Sequence, residues 1–315
     1  MLKFHRTNFK LFIDHRGIRK RKNQSINENH ATGLWVSGLQ GRRINIFNFL
    51  PEKVRTHKLF SSDNRILYID FILSNQTDQV ALKMNIKTTK SFHAPIFITG
   101  VPRSGTSMTA GILAELGVFT GATVPPGVSN PKGFFENVEI RESVLKGILK
   151  ASHFCPLGVK SLPPEDFIGK FNFGDGKSLK DILRAILTKQ GYLESQTWLY
   201  KDPKLSLVWR IFNIEFPNAL WITVRRNRHN VIRSCLRTHF MARHSDNEEF
   251  WYDFVSLYEK RLDQLNKSVG RVVEVNTDQL VKGDYKPIQE ACKNFGISFS
   301  EEKIDKFISI EHWNR

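Results

Sequence analysis

Acidic residues are scarce in this 315-residue chain. It carries 31 Asp and Glu against 47 Lys and Arg, for a formal net charge of +16. That balance points to anionic partners: nucleotides, nucleic acid, acidic polysaccharide or anionic lipid. Cysteine is also sparse. Cys155, Cys235 and Cys292 are an odd set without metal or redox spacing, which excludes a disulfide framework and suits a reducing compartment. No run of about 18 apolar residues occurs, so no membrane-spanning helix is expected. The N-terminal MLKFHRTNFKLFIDHRG has too short and too charged an apolar part for a signal peptide. A cytoplasmic protein is expected, with a basic arm able to hold it against an acidic membrane or polymer. No internal repeat or low-complexity segment is evident.

The chain is organised around Pro95 to Gly117, PIFITGVPRSGTSMTAGILAELG. Its first five residues read as a buried strand of a parallel sheet. Gly100 to Gly105 forms a tight loop. Apolar Met108, Ile112, Leu113 and Leu116 then mark an amphipathic helix that Gly117 stops. Strand, glycine loop and helix make a phosphate cradle, in which loop N–H groups and the positive helix end face one anion. Gly100 and Gly105 match the start of the motif G-x-x-x-x-G-K-[ST]. Thr106-Ser107 follows, so the lysine that holds the β and γ phosphates of a nucleoside triphosphate is missing. Arg103, inside the loop, is the cation offered instead.

Residues 1 to about 45 are basic and poor in core residues, with the run Arg19-Lys20-Arg21-Lys22. They read as a solvated, partly disordered arm that could capture an acidic surface. Pro51 interrupts the apolar positions of residues 46 to 60, so any helix there is short. Arg65 to Leu73 and Gln79 to Ile86 read as two strands of a hairpin joined by residues 74 to 78. The division expected is an N-terminal extension, 1–90, and an α/β domain, 91–315.

Beyond the first helix, residues 118 to 130 are loop. The stretch NPKGFFEN then leads into a helix over Val138 to Leu149, which places Glu136 at or just before a helix N-terminus. Residues 152 to 177 are loop-like, and 179 to 187 are an amphipathic helix. Trp198-Leu199-Tyr200 is a short strand running into Lys201-Asp202-Pro203, and Pro203 suits the first turn of a helix over 204 to 216. Ala219 to Val224 is another apolar strand, ending at Arg225-Arg226, followed by a helix over 227 to 240. Arg226 and Ser234, two helical turns in, can face one site, and guanidinium with hydroxyl suits a second phosphate. The long helix 248 to 267 carries Phe250, Trp251, Phe254 and Tyr258, which read as core packing. A strand over 271 to 275 and helices over 285 to 295 and 301 to 308 close the chain. Strands alternating with helices predict an α/β, P-loop-like three-layer fold, a central parallel sheet flanked by helices.

PRSGTS at 102–107, KDP at 201–203, and Arg226 with Ser234 together resemble the sulfotransferases that use 3′-phosphoadenosine 5′-phosphosulfate (PAPS). The PRSGT loop is similar to that of tyrosylprotein sulfotransferases and bacterial carbohydrate sulfotransferases, and NPKGFFEN looks like the bacterial type. The resemblance covers about residues 95 to 282. It implies that Arg103, Ser104, Gly105, Thr106 and Ser107 bind the 5′-phosphosulfate, and that Arg226 and Ser234 bind the 3′-phosphate. Arg103 and Lys201 would balance charge on the leaving nucleotide, and Glu136 is the candidate general base. No metal is required. Where the family tends to carry Tyr-Glu-x-Leu, this chain has Thr277-Asp278-Gln279-Leu280, whose role stays open.

The implied activity is in-line transfer of a sulfuryl group to a hydroxyl, with positioning and electrostatics carrying the catalysis. A carbohydrate or glycolipid is the expected acceptor, a polypeptide tyrosine the alternative. Two rivals remain: a P-loop nucleotide kinase, and a non-catalytic binder of nucleic acid or acidic glycan. No specific nucleic-acid partner is expected. The loops 118–136, 152–177 and 238–250 would line the acceptor.

Overall fold

The computed structural model describes residues 92–168 and 176–308, together with the backbone of five strands between residues 35 and 90. Of the basic arm expected over residues 1 to about 45, residues 1 to 34 lie outside the described residues, and its last part carries two short strands. Two compact units divide at residue 90.

In the first unit, β1 (Trp35–Ser37) and β2 (Arg43–Asn45) pair antiparallel. A separate antiparallel sheet runs β3 (Arg55–Phe60), β4 (Arg65–Gln76), β5 (Gln79–Lys90). The hairpin is longer than the sequence suggests. Its ladder runs from Arg65↔Lys90 to Gln76↔Gln79, so Ser74, Asn75 and Gln76 are strand, not loop. Residues 55 to 60 are also strand, in a stretch where any helix was expected to be short. After Pro51 the run is too short to nucleate a helix alone, and its backbone pairs with β4 instead.

The second unit is built on β6 (Ile96–Gly100), β7 (Leu199–Lys201), β8 (Leu220–Arg225) and β9 (Val272–Asn276). All pairings are parallel, in the order β7-β6-β8-β9. Alternation along the strands assigns the two faces. Ile96, Ile98, Leu220 and Ile222 pack with Ile112 and Leu113 of α1 (Thr106–Glu115) on one face. Phe97 and Trp221 point to the other and join the larger core. Phe97 sits among the rings of Trp198, Phe212, Phe216 and Trp221. Burying such a ring contributes about 2–3 kcal/mol.

Helices cover both faces, as the sequence predicts. A π-helical turn (Ile140–Leu145) runs into α2 (Lys146–Ala151), followed by α3 (Leu179–Lys189) and α4 (Leu205–Glu215). After β8 come α5 (Arg228–Arg237), α6 (His239–Ala242) and α7 (Glu248–Ser268). After β9 come α8 (Thr277–Leu280), α9 (Lys286–Phe295) and α10 (Glu301–Phe307). Trp251, Phe254 and Tyr258 of α7 are core, as expected.

Two predicted helices depart from regularity. The one expected over 138 to 149 opens as a π turn, wider than an α-helix. The one expected over 227 to 240 breaks at Thr238, which takes an extended ψ of 110° while its hydroxyl donates to the Ser234 carbonyl at 2.6 Å. That break brings Phe240 and Met241 to the edge of the cavity described next.

Candidate active site

The chain leaves β6 toward β7 on one side and returns past it to β8 on the other. The crevice at the carboxyl ends of such strands is where open α/β sheets bind ligands. A cavity of about 450 Å³ lies there, within the range typical of small-molecule sites.

The loop after β6 is held by close contacts. A Cβ on Gly100 would lie 2.7 Å from the Val224 carbonyl, so only glycine lets β8 approach. Gly105 has φ 97°, and Arg103, though not glycine, has φ 74°. Helix α1 then begins with no side-chain cap and no acidic residue in its first turn. Its first N–H groups have no intrahelical partner. Gly105, Thr106 and Ser107 line the cavity, so this uncapped positive helix end fits an anion. Ser104 is the loop member turned away. It is fully buried and absent from the cavity wall, its N–H bonds the Val101 carbonyl at 3.0 Å, and its hydroxyl has no hydrogen-bond partner among the described residues.

Arg103 reaches across to the second strand–helix junction. Its Nε donates to Ser234 Oγ at 3.0 Å, and both terminal nitrogens lie 3.4 Å from the Ser129 carbonyl. Arg226 Nη1 donates to the Arg103 carbonyl at 3.3 Å, and its Nε lies 3.9 Å from Asp278 Oδ1. Burial pulls both arginines below the usual arginine range. The structure thus brings Arg103, Arg226 and Ser234 together, a contact that the expected role of Arg103 at the 5′-phosphosulfate did not include. Arg225 and Arg228 face elsewhere, paired with Asp263, Glu274 and Glu259.

Thr277 and Asp278 were legible only as a departure from a pattern. The buried Thr277 hydroxyl lies 2.8 Å from the Ser104 carbonyl and 2.9 Å from the Arg225 carbonyl. It therefore ties the first loop to the end of β8. Asp278 accepts from the Asn227 N–H at 2.6 Å.

Lys201, at the end of β7, is 2 % exposed along its side chain. Its ammonium has three acceptors: Glu136 Oε1 at 2.8 Å, the Phe134 carbonyl at 3.0 Å and Ser107 Oγ at 3.1 Å. Asn130 also donates to Ser107 Oγ, at 3.2 Å. Glu136 is not a carboxylate serving a helix dipole. Asn137 takes the capping role, accepting the Ile140 N–H at 3.2 Å. The second Glu136 oxygen, Oε2, accepts from Arg141 at 3.2 Å. Burial would push the Glu136 carboxyl up, but the charges of Lys201 and Lys204 and the bonds from Lys201 and Arg141 outweigh it. They hold it down at about 2. Asp202 behaves oppositely. Burial raises its pKa although Lys204 Nζ lies 2.8 Å away.

Other wall residues had no signal in the sequence. Phe307, at the end of α10, fits against the bare Cα of Gly111, where a Cβ would lie 2.2 Å from its ring. Lys132 bonds the Phe307 carbonyl and lies 4.9 Å from its ring centroid. Leu157 and Phe240, both exposed, line the cavity from two of the expected acceptor loops. Among the described residues, no group of three or more His, Cys, Asp or Glu is arranged to hold a metal, and no helix is long and apolar enough to cross a membrane.

An uncapped helix start on a parallel sheet, with a second cationic junction alongside and a buried Lys–Glu pair, has the parts that a group-transfer site needs. The sulfotransferase family model matches residues 95–301. The chain belongs to the sulfotransferase family, whose members generally use PAPS as sulfuryl donor. No curated protein matches the sequence. Among solved structures, it is similar to the sulfotransferase domain from the curacin biosynthetic pathway, at 17% identity and TM-score 0.43, over 70% of this chain and 82% of that one. A sulfotransferase from Alicyclobacillus acidocaldarius matches at 13% identity and TM-score 0.40, over 71% and 99%. Sulfotransferase STF1 from Mycobacterium tuberculosis H37Rv matches at 13% and 0.38, over 71% and 74%.

Proposed function

We propose that this sulfotransferase binds PAPS across its two strand–helix junctions and transfers the sulfuryl group to a hydroxyl of a carbohydrate or glycolipid. PAPS supplies an activated sulfuryl group joined to a phosphate leaving group. The uncapped start of α1, with Gly105, Thr106 and Ser107, would hold the 5′ end. Arg226, Ser234 and the Arg103 guanidinium bonded to Ser234 would hold the 3′-phosphate. Lys201 would balance charge growing on the leaving oxygen, since its ammonium already touches Ser107 of the cradle. Glu136 would take the proton of the acceptor hydroxyl.

The observation that carries this reading is the buried Lys201–Glu136 contact in the same cavity as Arg103 and Ser234. A fixed cation beside a fixed carboxylate, next to an anion cradle, supplies both charges that sulfuryl transfer demands without a metal. Exposed Leu157 and Phe240 give the wall an apolar part suited to the alkyl portion of a glycolipid.

The test is transfer of radiolabelled sulfate from PAPS to an alkyl glucoside and, separately, to a tyrosine-containing peptide. Label on the glucoside is the expected result. Label on the peptide alone would overturn the acceptor class and leave the transferase reading standing.

A further inference from the structure

Five charged side chains, Lys146, Glu142, Arg141, Glu136 and Lys201, form an unbroken alternating chain whose most exposed member is Glu142. Lys146 Nζ lies 2.8 Å from Glu142 Oε1, and Arg141 Nη2 lies 2.8 Å from the same oxygen. Arg141 Nη1 lies 3.2 Å from Glu136 Oε2, and Lys201 Nζ 2.8 Å from Glu136 Oε1. The two oxygens of Glu136 are thus held by different cations on different elements. Lys201 comes from the end of β7. Arg141 comes from the π-helical turn, a distortion that often accompanies functional sites.

These two cations have different fates on the proposed function, on which this inference rests. Lys201 also touches Ser107 of the anion cradle and is the cation placed to turn to a leaving phosphate. Among the described residues, Arg141 makes no hydrogen bond to the cradle, although both line the cavity. It is anchored outward by Glu142, itself held by Lys146. Once Lys201 engages phosphate, Oε1 is released while Oε2 stays tied.

We propose that Arg141 is the positioning residue of the reaction, fixing Glu136 through Oε2 so that Oε1 alone faces the acceptor hydroxyl. Until nucleotide arrives, Lys201 masks Oε1. The base is therefore exposed only when the donor is in place. The other charged or titratable groups facing Glu136 are Lys204, Asp202 and Tyr200. None of them bonds its carboxylate.

Arg141→Met and Arg141→Lys separate this role from a structural one. The direct readout is the titration of the Glu136 carboxyl by ¹³C NMR on glutamate-labelled protein, assigned with Glu136→Gln. In the wild type the carboxyl stays ionised to the lowest pH at which the protein is folded. In Arg141→Met it titrates at higher pH, by about one pH unit or more, and Arg141→Lys reverses most of that change. Turnover of PAPS with octyl glucoside falls on the order of 10²-fold in Arg141→Met. The acid limb of its pH profile moves up with the titration, and affinity for 3′,5′-adenosine bisphosphate stays within about twofold of wild type.

An unmoved titration, or an Arg141→Lys protein no better than Arg141→Met, would overturn the proposal. If the wild type binds no bisphosphate, the nucleotide assignment fails on its own. The titration still reports whether Arg141 governs Glu136.

Discussion

Glu136→Gln is expected to lower turnover about 10³-fold while leaving affinity for 3′,5′-adenosine bisphosphate at or above that of the wild type. The rate loss follows from removing the group that accepts the hydroxyl proton. The retained affinity follows from Lys201. In the wild type its ammonium is bound to the Glu136 carboxylate at 2.8 Å. The neutral amide frees that cation for a phosphate. The same substitution has a stability signature. A buried ammonium without its counter-ion is costly, by about 3–5 kcal/mol when a buried pair is broken, so the variant melts lower at neutral pH. Bisphosphate then stabilises it more than it does the wild type.

The pH dependence has a definite sign. Glu136 is held at about 2 against an ordinary 4.5. Its ionised form therefore adds stability that is fully present above about pH 4.5 and lost as pH falls toward 2. The amount is about 3 kcal/mol. Thermal melts between pH 3 and 7 should show this slope in the wild type and its absence in Glu136→Gln. A variant with wild-type turnover would remove Glu136 from the reaction.

Lys201→Met carries the other large effect. It removes the ammonium that spans Glu136, Ser107 and the Phe134 carbonyl. Loss of a preorganised cation at a developing negative charge costs about 10²–10³ in rate. The Glu136 carboxyl, left with the Arg141 bond and the more distant Lys204, rises from about 2. The acid limb of activity accordingly moves to higher pH, opposite to any gain from an unmasked base. Single-turnover kinetics with PAPS separates this from weakened binding. An unchanged chemical step with only a raised KM would show that Lys201 binds and does not catalyse.

Much of the fold was legible because its signals are local. Apolar strands, the Gly100–Gly105 spacing and the arginine ending β8 each lie within a few residues of one another. The site was legible less evenly. Arg226 and Ser234 could be paired because one strand–helix junction holds both. The contact of Arg103 with Ser234 had no signal, because the two lie 131 residues apart and no spacing encodes which way a side chain crosses a crevice. Thr277 is a sharper case. Its hydroxyl meets the Ser104 carbonyl 173 residues distant, and in sequence it is only a threonine after a strand. Arg141 was hidden by periodicity. A π turn displaces side chains from the positions a 3.6-residue repeat assigns, so a helical reading of 138 to 149 gives no reason to turn Arg141 toward Glu136. Phe307 lies beyond the family match, which ends at 301, and it enters the wall because Gly111 leaves room for its ring.

Calorimetric titration with 3′,5′-adenosine bisphosphate, beside 5′-AMP and ATP, on the wild type and on Ser234→Ala, tests the central claim most directly. The account predicts selective binding of the bisphosphate by the wild type. It also predicts about a tenfold loss in Ser234→Ala, as expected for one hydrogen bond to a charged group. Equal affinity for all three nucleotides, or binding of none, would contradict it.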